Sequence, residues 1–181
     1  MSYIVTSSMF TGKYAISAGV KITQLTDLIT SVEERILKEL MGNAMYVDFI
    51  ADLSNGVPNA PEFLTIFNPL LLDNPRTFED YSNGMKDMVK GFVWYAWNND
   101  TESSPSTQGQ KKVEASNSKN IPNNSFQMNR IYNESVGSFK VIQEYIEQNL
   151  DDYPDYKGTK KNYLFTLWLR LDKQWKLQLI V

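Results

Sequence analysis

TQLTDLITSVEERILKELM, residues 23–41, decides the fold class. Leu25, Leu28, Ile29, Val32, Ile36, Leu37 and Leu40 recur at intervals of three and four, which places them in one stripe along a helix. Glu33, Glu34, Lys38 and Glu39 are expected to fill the opposite, solvated face. Gly42-Asn43 supplies the usual C-terminal stop. A second helix is expected at Ala44–Leu53, with Tyr46, Val47, Phe49, Ile50 and Leu53 apolar. The connection is short enough to suggest a helical hairpin. Ser54-Asn55-Gly56-Val57-Pro58 ends this helix, and a stretch punctuated by Pro61, Pro69 and Pro75 follows, with room for a short helix at Glu62–Phe67.

The same period returns twice more. From Asn83 to Trp97, the residues Met85, Met88, Val89, Phe92, Val93, Tyr95, Ala96 and Trp97 leave only Lys86, Asp87 and Lys90 as polar surface. A helix apolar nearly all round is central in a bundle or covered by a partner. From Phe126 to Leu150, Met128, Ile131, Tyr132, Val136, Phe139, Ile142, Tyr145 and Ile146 keep the helical spacing, with Asn124 or Ser125 as N-cap. Between these helices, Asn98–Asn124 drops hydrophobic patterning altogether (NNDTESSPSTQGQKKVEASNSKNIPNN). A structureless stretch of about 27 residues inside a domain is uncommon and is usually either functional or disordered.

The C-terminal residues change period. Tyr163, Phe165, Leu167, Leu169 and Leu171 alternate, Asp172-Lys173-Gln174 is turn-like, and Trp175, Leu177, Leu179 and Val181 alternate again. Period two on both sides of a polar turn reads as a β-hairpin over residues 162–181. An isolated hairpin is marginal in water, so it must pack on the bundle or on a neighbouring subunit. The expected fold is therefore mainly α: one domain over residues 1–181, a bundle of about four helices, an inserted arm at 98–124 and a C-terminal hairpin. The first 22 residues, with Ser7, Ser8, Thr11 and Gly12, read as a loop-rich arm with an extended piece at Tyr3-Ile4-Val5.

Composition narrows the chemistry. The chain has 181 residues, a net charge of −3, no Cys and no His. That removes disulfides, thiolate metal sites, the usual general base and the commonest metal ligand. The charge gives no global drive toward nucleic acid or anionic membrane. No run reaches about 18 apolar residues and no signal pattern opens the chain, so neither a membrane span nor secretion is expected. Without a secretion signal, the triplets at Asn99, Asn123 and Asn133 read as chance matches to the glycosylation pattern.

Individual constellations resolve toward structure. Thr11-Gly12-Lys13 resembles the end of a phosphate loop, but Ser7 stands where the upstream Gly is needed, so a surface turn is expected. Asp151-Asp152-Tyr153-Pro154-Asp155 lacks the ligand spacing of a Ca²⁺ loop and reads as a solvated turn. Glu144 and Glu147 share a helix face as ordinary surface acids. Trp94, Tyr95 and Trp97 could stack nucleic-acid bases. In the adjacent loop, however, Asp100, Glu102 and Glu114 balance Lys111, Lys112 and Lys119, which favours core or interface packing. Lys157, Lys160 and Lys161 read as a soluble turn before the hairpin. No catalytic, cofactor-binding or metal-binding residues are assigned. The candidate subunit-interface residues are Trp94, Trp97, Asn98, Ser104, Gln108, Lys111, Lys112, Val113 and Asn120 in and before the arm, and Trp168, Trp175, Leu177 and Leu179 in the tail.

Several short patterns occur in a telling order: Phe10-Thr11-Gly12-Lys13-Tyr14, Leu40-Met41-Gly42, Gly84-Met85-Lys86-Asp87-Met88 leading into Gly91-Phe92, Arg130-Ile131-Tyr132-Asn133-Glu134, Ile142-Gln143-Glu144-Tyr145-Ile146, and Tyr153-Pro154-Asp155-Tyr156-Lys157-Gly158. In that order they resemble the head–tail connector, or adaptor, proteins of tailed phages of Bacteroidetes, including crAss-like phages. The resemblance spans most of the chain and excludes the C-terminal hairpin. It implies a structural virion protein without enzymatic activity or cofactor, assembled in the host bacterial cytoplasm. It further implies a ring, commonly twelvefold, below the portal protein, which extends the DNA channel and docks tail components. DNA would be a passing content of the channel, and no membrane is involved. The alternative classes are a small helical ligand-binding protein or enzyme with an aromatic pocket, and a regulatory adaptor that binds a host protein through the loop.

Overall fold

A computed structural model of the chain describes residues 4–16, 22–72, 80–102, 105–106, 109–110 and 124–157. The described part is mainly helical. Helix α1 spans Ile22–Met41, α2 Asn43–Asp52, α3 Pro61–Phe67, α4 Met85–Glu102 and α5 Asn124–Gln148. Three short antiparallel pairs accompany them: β1 Leu53–Ser54 with β2 Val57–Pro58, β3 Leu70–Leu72 with β4 Asp80–Ser82, and β5 Pro105–Ser106 with β6 Gly109–Gln110. The expected C-terminal hairpin at 162–181 lies outside the described residues, as do Tyr3, Lys160 and Lys161.

The apolar stripe of α1 is buried as its spacing requires, with Leu25, Ile29, Val32, Ile36, Leu37 and Leu40 each at most 5% exposed. Gly42 alone separates α1 from α2. Its φ of 76° is a backbone conformation that L side chains rarely adopt, its N–H closes the last turn onto Lys38 O, and its carbonyl accepts from Tyr46 N to start the next helix. Helix α2 carries Phe49 into an edge-to-face contact with Phe63 of α3, centroids 5.4 Å apart. Asp52 at the end of α2 accepts from the N–H groups of Asn59 and Ala60, both at 2.8 Å, and fixes the entry to α3, where Pro61 takes the first helical position.

Helix α4 lies at the centre. It packs against α1, α3, α5 and the N-terminal turn Gly12–Tyr14, and no residue from Met85 to Asn99 is exposed. Its nearly all-apolar surface is thus covered by the chain itself. Against α5 the approach is close, because a Cβ on Gly91 would stand on the Ser135 hydroxyl. Ser135 is buried, and its hydroxyl donates to Ile131 O at 3.0 Å. One core gathers residues from the N-terminal segment through α5 and on to Tyr153 and Tyr156.

Three expectations need correction. Glu33 is not on the solvated face; it is fully buried, and its carboxylate accepts from Ile4 N at 3.2 and 3.3 Å and from Val5 N at 3.0 Å. The N-terminal segment is therefore anchored: the Ile4 and Val5 N–H groups find a carboxyl acceptor inside, and Ile4, Val5, Phe10 and Tyr14 lie in the core. The described helices reach into the expected arm at 98–124. Helix α4 continues to Glu102, α5 begins at Asn124, and β5 pairs with β6 between them. Finally, Ser54–Pro58 does not simply end α2. Asn55 and Gly56, both at positive φ (53° and 75°), make the tight turn of the β1–β2 hairpin, the conformation that Asn-Gly favours.

Candidate functional site

The expected interface residues separate into three groups. Trp94 is a core residue, only 4% exposed, and its indole N–H donates to Ala15 O at 3.3 Å. It is spent inside its own subunit and is removed from the interface set. Trp97 and Asn98 are half-buried on the last described turns of α4, where the Asn98 amide donates to Trp94 O at 2.7 Å. Ser104, Gln108, Lys111, Lys112, Val113 and Asn120, and in the tail Trp168, Trp175, Leu177 and Leu179, lie outside the described residues.

Helices α4 and α5 run antiparallel and form a stem on either side of residues 103–123, within the expected arm. Tyr132 meets Phe92 edge-to-face at 5.8 Å and Tyr95 at 4.7 Å, while Gly91 faces Ser135. Larger numbers on α4 thus face smaller numbers on α5. The same register brings Glu102 and Asn124, the two roots of the segment between these helices, to one end of the molecule. Phe126 beside the second root is 74% exposed, although the helical period counted no apolar role for it. Burial pushes both the Tyr95 and Tyr132 hydroxyls above the ordinary tyrosine range, so the aromatic stem stays neutral.

A charged clasp ties the N-terminal segment across this stem. Lys13, from the Thr-Gly-Lys turn, reaches Asp87 of α4 at 3.3 Å and Glu134 of α5 at 3.2 Å. Tyr14 donates its hydroxyl to Asp87 Oδ2 at 2.8 Å, and Lys90 pairs with Asp87 Oδ1 at 3.1 Å. Both lysines lie over the Tyr14 ring, at 4.8 and 5.0 Å from its centroid. Burial raises the Tyr14 pKa, and the neighbouring Asp87 adds to the rise. Burial alone would lower that of Lys13, but Tyr14, Asp87 and Glu134 raise it overall. For Asp87, burial is outweighed by the Tyr14 hydrogen bond and the two ammonium groups, which hold its carboxyl below the ordinary range.

The clasp is a structural device whose pH dependence follows from these directions. Asp87 binds a proton less readily folded than unfolded, so the unfolded chain takes up more protons as pH falls. Its contribution is complete above the ordinary Asp pKa of about 3.9 and is lost as pH drops through the lower folded value. Asp87→Asn is expected to cost about 1–2 kcal/mol at pH 7. The variant should also show a shallower loss of stability below about pH 4 than the parent. Urea unfolding at a series of pH values measures both.

Among the described residues, no group of three or more acidic side chains could hold a metal ion, and no helix is long and apolar enough to cross a membrane. The acids of the 151–155 turn, Asp151, Asp152 and Asp155, point to solvent while Tyr153 and Tyr156 turn inward, and Tyr153 donates to Glu62 O at 2.8 Å. No family model, curated protein or solved structure matches the chain.

Proposed function

We propose that the chain is a structural subunit of a phage head–tail connector, a ring below the portal that extends the DNA channel and docks the next tail component. In this reading the protein is a helical bundle bearing an inserted arm and a C-terminal hairpin. It is built into the virion in the host bacterial cytoplasm, and its contacts with copies of itself are head-to-tail. The observation that carries the proposal is the arm stem. Two antiparallel helices, one of them enclosed by the rest of the chain, deliver both roots of a polar segment to one end of the molecule. Such a segment suits contact with another protein surface, with ordering on assembly supplied by the partner. The order of short patterns, which resembles that of connector proteins, supports the phage context.

Deleting Ser103–Lys119 tests the arm. The shortened protein is expected to stay soluble and helical by circular dichroism, and to be lost from particles assembled with portal and neighbouring connector proteins. Normal incorporation of the shortened protein would remove the arm from assembly. The alternative, a small helical ligand-binding protein or enzyme, would show a ligand-dependent rise in melting temperature and no large symmetric particle.

A further inference from the structure

The β3–β4 hairpin carries an apolar face that the described residues do not cover. Leu71 and Tyr81 are direct cross-strand partners, so both side chains leave the same, outer face of the pair. They are 56% and 53% exposed. On the inner face, Leu70 and Leu72 pack on Val141 and Tyr145 of α5. A two-stranded sheet of three residues per strand has little stability of its own and two open edges.

We propose that residues 162–181 of the same chain dock on this hairpin, covering Leu71 and Tyr81 with the alternating apolar residues of the tail. The chemistry matches. Tyr163, Phe165, Leu167, Leu169 and Leu171 supply one apolar face in strand period, and Leu164 and Trp168 put further apolar surface on the other. A strand apolar on both faces needs cover on both, and an exposed hairpin supplies one of them. The point of departure also matches. Tyr153 meets Tyr145 of α5 edge-to-face, centroids 6.5 Å apart, and Tyr145 packs against Leu70, Leu72 and Val141 on the inner face of the hairpin. The tail thus leaves the described fold from a turn that adjoins the inner cluster of the hairpin. The four residues 158–161 can span up to about 14 Å. So short a tether gives the tail an effective concentration on the order of millimolar at its own hairpin, ahead of any neighbouring copy. This inference does not depend on ring formation.

In the full chain, Leu71→p-benzoylphenylalanine is irradiated and the product mapped by mass spectrometry. Cross-links from position 71 to peptides within 162–181, in a band that runs as a monomer, are expected. The same cross-links in a dimer band would overturn docking within one chain and assign the tail to a second copy. Cross-links only elsewhere, or none, would overturn the docking itself. Amide exchange supplies an independent readout in the full-length double variant Leu169→Asp/Leu177→Asp. Exchange at Leu70–Leu72 and Asp80–Ser82 should accelerate by about tenfold or more while that of α1 stays unchanged. Unchanged exchange in the hairpin would contradict the proposal.

Discussion

Glu33→Ala is expected to release the N-terminal segment and to destabilise the fold by about 3–5 kcal/mol. The substitution removes the acceptor of the Ile4 and Val5 N–H groups, all of which are buried. An unsatisfied buried donor costs about 1–3 kcal/mol. The chain can avoid that cost only by letting the segment go, which exposes Ile4 and Val5 and loosens Phe10 and Tyr14 behind them. Glu33→Gln keeps an acceptor oxygen of similar shape but loses the charge, so it should fall about midway between parent and Ala. Urea unfolding gives the stabilities. Limited proteolysis gives the mechanism, because cleavage within residues 4–16 should appear under native conditions in the Ala variant and not in the parent. A loss below about 1 kcal/mol would mean that the carboxylate is not an anchor.

Gly84→Ala has the second-largest expected effect, about 2–4 kcal/mol, or a fall in melting temperature on the order of 10 °C. Gly84 stands at φ 91°, between β4 and the first turn of α4. A Cβ there would lie 2.9 Å from Phe67 O and 3.1 Å from the backbone of Asn68 and Pro69. Those neighbours are main-chain atoms at the end of α3, so no side-chain rotation relieves the contact, and the backbone conformation itself is strained for a residue with Cβ. Gly137→Ala is the matched control. It lies within α5, where a Cβ would meet nothing within 4 Å, and it should stabilise by about 0.5–1 kcal/mol. Thermal unfolding of the two variants beside the parent checks both signs.

The helices are legible because each carries enough apolar residues at intervals of three and four to outvote local exceptions. The stripe of α1 needs no partner to be recognised, and the nearly all-apolar α4 announces its central place. Glu33 is misplaced by the sequence reading although its position holds a signal. It lies four residues after Ile29 and four before Leu37, on the buried stripe itself, and a charge there requires an acceptor's partner from elsewhere in the chain. Nothing local names Ile4 and Val5 as that partner. The Asn55-Gly56 turn is readable from its residues, but strands of two residues carry no alternation to accompany it. The β3–β4 pair is hidden for a related reason. Leu70-Leu71-Leu72 is apolar throughout, so period two is invisible, and only the packing of Leu70 and Leu72 on α5 separates inside from outside.

At the candidate site the limits are different. Trp94 and Trp97 are three residues apart on one helix, yet Trp94 is enclosed and Trp97 only half-buried. Aromatic content alone cannot divide core from interface, since both use the same large apolar surface. The division comes from Ala15, whose carbonyl holds the Trp94 indole from a segment far away in sequence. The arm roots differ from expectation by a few residues for another physical reason. Asn98 and its polar successors continue α4 because the preceding helix supplies the turns on which they propagate.

The most direct test of the proposed assembly role is an electron-microscope image of the full-length protein, purified alone and with its portal protein. The connector reading predicts closed rings of one symmetry, stacked on portal when both are present. A population of monomers or dimers under both conditions would contradict it.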